Sequence, residues 1–260
     1  MTEHYYGDLP SLEMSTLDAL ITLLFLKGNV LPESPPSRGF PIERYLQSIP
    51  PEEVEVKTNG WTYLACPDAP SSRVNPNDRV IHVDCIVISI GIAFLKSREK
   101  NMRAALGIFN GYSNPENASS MAETYHCTEE MSTLVAFLVF LREFQRLLFL
   151  WDWTRFFPTE DKAKHCPLHA VCIKSDSEFL VKGVTEWLPK RKRNGWKDSK
   201  GKVVANREIW EQIDDTLIKI ESSVNVQFWL VEEAMNSDAR LLADARIREE
   251  KRSKSTSSVG

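Results

Sequence analysis

The run "RVIHVDCIVISIG" at 79 to 91 constrains the fold more than any other stretch of this chain. It is β-branched and almost uninterrupted, so it reads as a strand, and Asp84 stands inside it. "AALGIFNG" at 104 to 111 reads as a second strand and "ASSMAETY" at 118 to 125 as a short third, with hairpin-like connections between them. "TEEMSTLVAFLVFLREFQRLLFLWDW" at 128 to 153 is too long for a strand and has helical apolar spacing. Thr128 is placed as its N-cap, and Glu129 and Glu130 lie in the first turn, where the helix dipole favours acids. "LHAVCIKSD" at 168 to 176 reads as a fourth strand, 207 to 222 as a helix, "VNVQFWLV" at 224 to 231 as a fifth strand and 237 to 252 as a last helix. Three antiparallel strands followed by alternating helices and strands predict a mixed α/β sheet.

Upstream of the first strand the pattern is different. "LDALITLLFL" at 17 to 26 is apolar, but it is short, carries Asp18 and follows an acidic start. It is expected to be a buried helix, neither a signal peptide nor a membrane span. The stretch 31 to 52 is proline-rich, which makes residues 1–77 an irregular N-terminal extension to a domain at 78–247, with a charged, disordered tail at 248–260. The net charge of −4 confines any nucleic-acid contact to a local patch. Five cysteines (Cys66, Cys85, Cys127, Cys166 and Cys172) form no CxxC pair, as expected of reduced thiols in the nucleus or cytoplasm.

The segment "IKSDSEFLVKGVTEWLPKRKRNGWKDSKGKVVANREIWEQID" resembles the ribonuclease H1 family, in particular its fungal branch. There a TDS strand end is followed by a VKG.T.W helix, a basic NGW segment and a V.N.DLW helix. "VIHVDC", "NMRAALGIF" and "VNVQFWLVEEAMNSDARLLADA" are similar to the family's first, second and final elements, so the resemblance covers residues 78–247. It implies an α/β, ribonuclease H-like five-stranded mixed sheet flanked by helices. The implied activity is cleavage of RNA/DNA hybrids with Mg²⁺ or Mn²⁺.

That chemistry needs four carboxylates around two divalent cations, one to activate water and one to stabilise the leaving oxygen. By the resemblance, Asp84 falls on the first-strand aspartate, although Cys85 stands where the family has glycine, and Asp176 falls on the TDS aspartate. These two are the retained metal-ligand positions. Thr133 falls where the helix glutamate belongs, and Arg240 on the fourth carboxylate. Four carboxylates supply −4, whereas Asp84, Asp176 and Arg240 sum to −1. The resulting expectation places Arg240 between Asp84 and Asp176 as a built-in counter-ion.

The resemblance also implies substrate contacts at Thr128, Phe179, Trp187, Lys190, Arg191, Lys192, Arg193, Trp196 and Asn206. The basic run would grip phosphate and the aromatic rings would pack it or line a strand channel. Arg191 stands where the family commonly has a channel tryptophan, and Glu129 and Glu130 replace an amide pair that reads 2′-hydroxyls. Plainer readings stand beside these: Asp176 caps the next helix, the tryptophans belong to the core, and 190 to 193 is a solvated loop. The functional expectation is a ribonuclease H-like monomer with an impaired site that binds an RNA/DNA hybrid, another nucleic acid or a protein partner, and no membrane. An active hybrid ribonuclease with a rearranged site, and a structural protein that binds no nucleic acid, are the alternatives.

Overall fold

The computed structural model describes residues 37–68, 80–96, 102–122, 128–150, 168–198 and 200–257. The expected helix at 17 to 26, Cys127 and Cys166 lie outside them. Two short elements come first: helix α1 (Ile42–Leu46) and a hairpin of β1 (Glu55–Thr58) and β2 (Trp61–Ala65). The hairpin turns at Asn59-Gly60, both with positive φ (51° and 78°). An Asn-Gly pair adopts this conformation readily, and it suits the twist of the two strands.

The long strand β3 (Ile81–Lys96) is the spine of a mixed sheet. On one edge it pairs in parallel with β6 (Ala170–Ser175), which pairs in parallel with β7 (Asn225–Leu230). On the other edge it pairs antiparallel with β4 (Met102–Phe109), followed by β5 (Ala118–Ala122). These are the five expected strands. The sheet has two more, because β2 pairs antiparallel with the first half of β3, Tyr63 opposite Ile86 and Ala65 opposite Ile81. Since β6 occupies the opposite edge at Cys85 and Ser89, β2 must share β4's edge.

The two faces follow the strand period of two. Ile86, Ile88, Ile90 and Ile92 point to one face and meet Leu134, Phe137 and Leu141 of α2 (Glu129–Leu150) in the main core. On the other face Ala93 and Ala105 pack against Ala243 and Ile247 of α6 (Ser237–Ser257). The helix comes very close: a Cβ at Gly107 would stand 2.1 Å from the Ala239 carbonyl oxygen, and one at Gly91 2.6 Å from the Arg240 nitrogen. The rest of this second face, at Val87, Cys172 and Trp229, is covered by Phe40, Ile49, Val54 and Leu64. Residues 37–65 of the expected irregular extension are therefore regular and form part of the core, and Gly39 bridges in parallel to Phe228 at the sheet edge. Helix α6 also runs on to Ser257, past the expected domain end at 247, with Glu250 paired to Arg103. Among the described residues no helix is long and apolar enough to cross a membrane.

Candidate functional site

Strand β6 ends in Lys174-Ser175, both buried, and then Asp176. The next helix, α3 (Glu178–Lys182), is capped by Ser177, whose Oγ accepts from the Leu180 N–H at 3.3 Å. Asp176 therefore does not cap it. A π turn (Gly183–Trp187) leads from α3 into α4 (Leu188–Arg193), and Gly183 lets the Trp210 ring lie against the turn.

The Asp176 carboxylate is held from the start of α6. Asn236, at the end of a 3-10 turn (Glu233–Asn236) and 1% exposed, donates through Nδ2 to Asp176 Oδ1 at 2.7 Å and to the Ile90 carbonyl at 2.9 Å. Arg240 donates through one guanidinium nitrogen to Asp176 Oδ2 at 3.2 Å and to the Ile92 carbonyl at 3.3 Å, and its other nitrogen lies 3.4 Å from Glu233. Positions 236 and 240 are one helical turn apart on the same face, so the two side chains reach one oxygen each.

Asp84 is elsewhere. Its carbonyl accepts from the His169 N–H, and Cys85 lies opposite Ala170, so it is level with the start of β6. Seven positions at about 3.3 Å each put it roughly 23 Å along the sheet from Asp176. The expected position of Arg240 between the two aspartates is thereby corrected: its neighbours are Asp176 and Glu233. The register Ser89 opposite Lys174 brings Ile90-Gly91-Ile92 level with Asp176, and the strand offers no carboxylate there. The sequence signal for this register was Gly91, a glycine inside a strand where another backbone comes close.

Thr133 lies on the first turns of α2, beside Asp176 and Arg240 in one open cleft of about 460 Å³. Its hydroxyl donates to the Glu129 carbonyl at 2.9 Å, and Thr128 caps the helix through the Met131 N–H at 3.2 Å. Glu129 and Glu130 line the same cleft, while Ile92, Phe94 and Phe179 supply its apolar wall. A pair of divalent cations does not fit this donor set. Asp176 already faces a guanidinium, and among the described residues no three His, Cys, Asp or Glu side chains form a metal-holding group.

The basic segment adjoins the cleft through its aromatics. Phe179 meets Trp187 edge-on with centroids 5.7 Å apart, and the Arg191 guanidinium lies 5.4 Å from the Trp187 ring and 5.1 Å from Trp210. Burial lowers the Arg191 pKa, partly offset by the charge of Glu130. Lys190 and Arg193 are exposed, whereas Lys192 pairs with the buried Asp214. Trp196 has φ 60° and packs against the main core, so its role there is structural. Asn206, with φ 57°, occupies the N-cap position of α5 (Arg207–Glu221) without a side-chain cap bond.

Residues 160–231 match the family model described as RNase H. This span carries β6, Asp176, the basic segment and β7. The segment 160–231 is ribonuclease H-like. A ribonuclease H of Cyanothece sp. is 47% identical over 58 residues, 22% of this chain and 35% of the relative. Ribonuclease HI of Streptomyces coelicolor is 53% identical over 45 residues, 17% of this chain and 20% of the relative. The matched segments thus span about a third or less of these relatives. Among solved structures, the PFV RNase H domain aligns at 18% identity over 62% of this chain and 90% of that chain, with a TM-score of 0.42. RNase H1 of Halobacterium salinarum aligns at 14% identity over 64% and 98%, with a TM-score of 0.38. Thr133, Arg240 and the β3 register all lie outside the matched span.

Proposed function

We propose that this chain is a ribonuclease H-like module that binds nucleic acid and has lost metal-dependent cleavage. The observation that carries the proposal is the Arg240 guanidinium 3.2 Å from Asp176. At the four positions Ile92, Thr133, Asp176 and Arg240 the charge is one negative and one positive, and a guanidinium stays protonated at any working pH. Two Mg²⁺ or Mn²⁺ ions would find there one carboxylate, already paired, with Glu129 and Glu130 at the cleft's edge on the first turn of α2.

Binding is assigned to the basic segment. Lys190 and Arg193 are exposed on α4, followed by exposed Lys197, Lys200, Lys202 and Arg207, which suits phosphate oxygens and an RNA/DNA hybrid. We assign the protein to the nucleus or cytoplasm as a monomer.

The test is cleavage of a labelled RNA/DNA hybrid with Mg²⁺ and then Mn²⁺, beside Asp176→Asn, together with hybrid binding at rising salt. The expected result is no cleavage above the variant, with binding that weakens as salt rises. Metal-dependent cleavage that disappears in Asp176→Asn would overturn the loss of catalysis and point to Glu129 and Glu130 as recruited acids. Binding insensitive to salt, or none, would favour a structural protein.

A further inference from the structure

Two cavities meet at Arg240. One is the cleft above Asp176; the other, about 420 Å³, lies along the outer side of the start of α6, with Ala234 and Leu241 for apolar surface and Glu233 and Asp244 beside them. Leu241 is 60% exposed, although its neighbours Ala239 and Ala243 on the same helix are fully buried. Arg240 lines both cavities, with Ile92, Phe94 and Phe179 as apolar lining in the first and Ala234 and Leu241 in the second.

The charge along this surface is one-sided. Glu129, Glu130, Asp176, Glu233 and Asp244 line the two cavities, against the single guanidinium of Arg240. Asp176 is neutralised by Arg240, but Glu129 and Glu130 have no ion-pair partner among the described residues. An excess of carboxylates repels a phosphate backbone and attracts cationic side chains. The apolar surface calls for hydrocarbon, and each cavity has the size of an ordinary ligand pocket.

We propose that this groove docks a protein segment in which Lys or Arg alternates with large apolar residues. The cationic ends reach Glu129 and Glu130, and an apolar side chain covers Leu241. The groove's contact residues, Glu129, Glu130 and Leu241, are distinct from Lys190 and Arg193 of the basic segment assigned to nucleic acid, which it adjoins at Arg191.

The test uses the full chain and a fluorescent peptide alternating Arg and Leu. Its controls are one peptide with Ser for every Leu and one with Glu for every Arg. Saturable binding of the Arg-Leu peptide is expected, at least about ten-fold tighter than either control, a difference of about 1.4 kcal/mol. Leu241→Asp, an exposed change that leaves the core intact, should weaken it by a similar factor, as should Glu129→Lys/Glu130→Lys. Lys190→Glu/Arg193→Glu should leave peptide binding unchanged while weakening hybrid binding, which separates this site from the nucleic-acid proposal. Equal binding of the Ser-substituted peptide, or indifference to Leu241→Asp, would each overturn it.

Discussion

Arg240 satisfies two demands at once. Its guanidinium bonds the Ile92 carbonyl, tying α6 to β3, and neutralises Asp176, whose side chain is 9% exposed. In Arg240→Ala that carboxylate keeps only Asn236, and a loss of about 1 to 3 kcal/mol is expected in urea unfolding. Arg240→Lys should recover part of it, because an ammonium keeps the charge opposite Asp176 but lacks the second nitrogen that faces Glu233. An alanine variant as stable as wild type would reduce the pair to a surface contact. Tyr45 offers a second test at this scale: burial, then the neighbouring Cys85 and Cys172 thiols, raise its pKa from 10.0 to about 12. A raised folded pKa gives stability that is fully present below pH 10 and lost as pH rises towards about 12. Tyr45→Phe should therefore flatten the part of the alkaline melting curve between those values, and an unchanged slope there would refute the assignment. Short motifs fix Asp176, Thr133 and Arg240 relative to their own elements, and the structure brings the three to one cleft. An Asp inside a β-branched run looks the same in either register, so the sequence does not place Asp84.

At the scale of elements, helices α2, α5 and α6 and strands β3, β4, β6 and β7 were legible because each has a sustained apolar pattern; α1, in the proline-rich stretch, has none. The β1–β2 hairpin was missed, although Asn59-Gly60 between Lys57-Thr58 and Trp61-Thr62 was a turn signal in plain view. Two features hid it: β2 is buried at all five positions and so shows no alternation, and the prolines before it suggested irregularity throughout. The hairpin also holds the first turn of α6. Lys57 pairs with Asp238 at 2.7 Å and lies 4.8 Å from the Tyr112 ring centre; burial pulls its pKa down, but Asp238 outweighs this and the net shift is upward. The closest approach of α6 to the sheet, at Gly107, predicts a large penalty for any added side chain. Gly107→Ala must push back the Ala239 carbonyl and the Ala243 nitrogen, 2.1 and 2.6 Å from the new Cβ, and should cost about 1 to 3 kcal/mol in thermal or urea unfolding. Gly195→Ala, with φ 60° and nothing within 4 Å, meets only backbone strain and should cost about 1 kcal/mol or less. Equal penalties would mean that α6 has room to move.

Over the whole molecule, a net charge of −4 conceals a division that composition cannot show. The cations at 190 to 207 lie on α4, the turns after it and the start of α5, while the unpaired Glu129 and Glu130 lie where α2 begins, in the cleft. The two regions touch at Arg191, which packs on Trp187 and Trp210 and feels the charge of Glu130. A hybrid gripped by Lys190 and Arg193 therefore passes close to Glu129 and Glu130, and their repulsion opposes the grip. Removing both charges as Glu129→Gln/Glu130→Gln should tighten hybrid binding several-fold at low salt. The gain should shrink towards nothing as the screening length falls below about 10 Å near 0.1 M salt. Both positions are exposed and the substitutions keep size and hydrogen-bonding capacity, so the fold should be untouched. If affinity instead falls, the two glutamates contact the substrate favourably, and a cation or a basic group of a partner must be bound with them when the hybrid is in place.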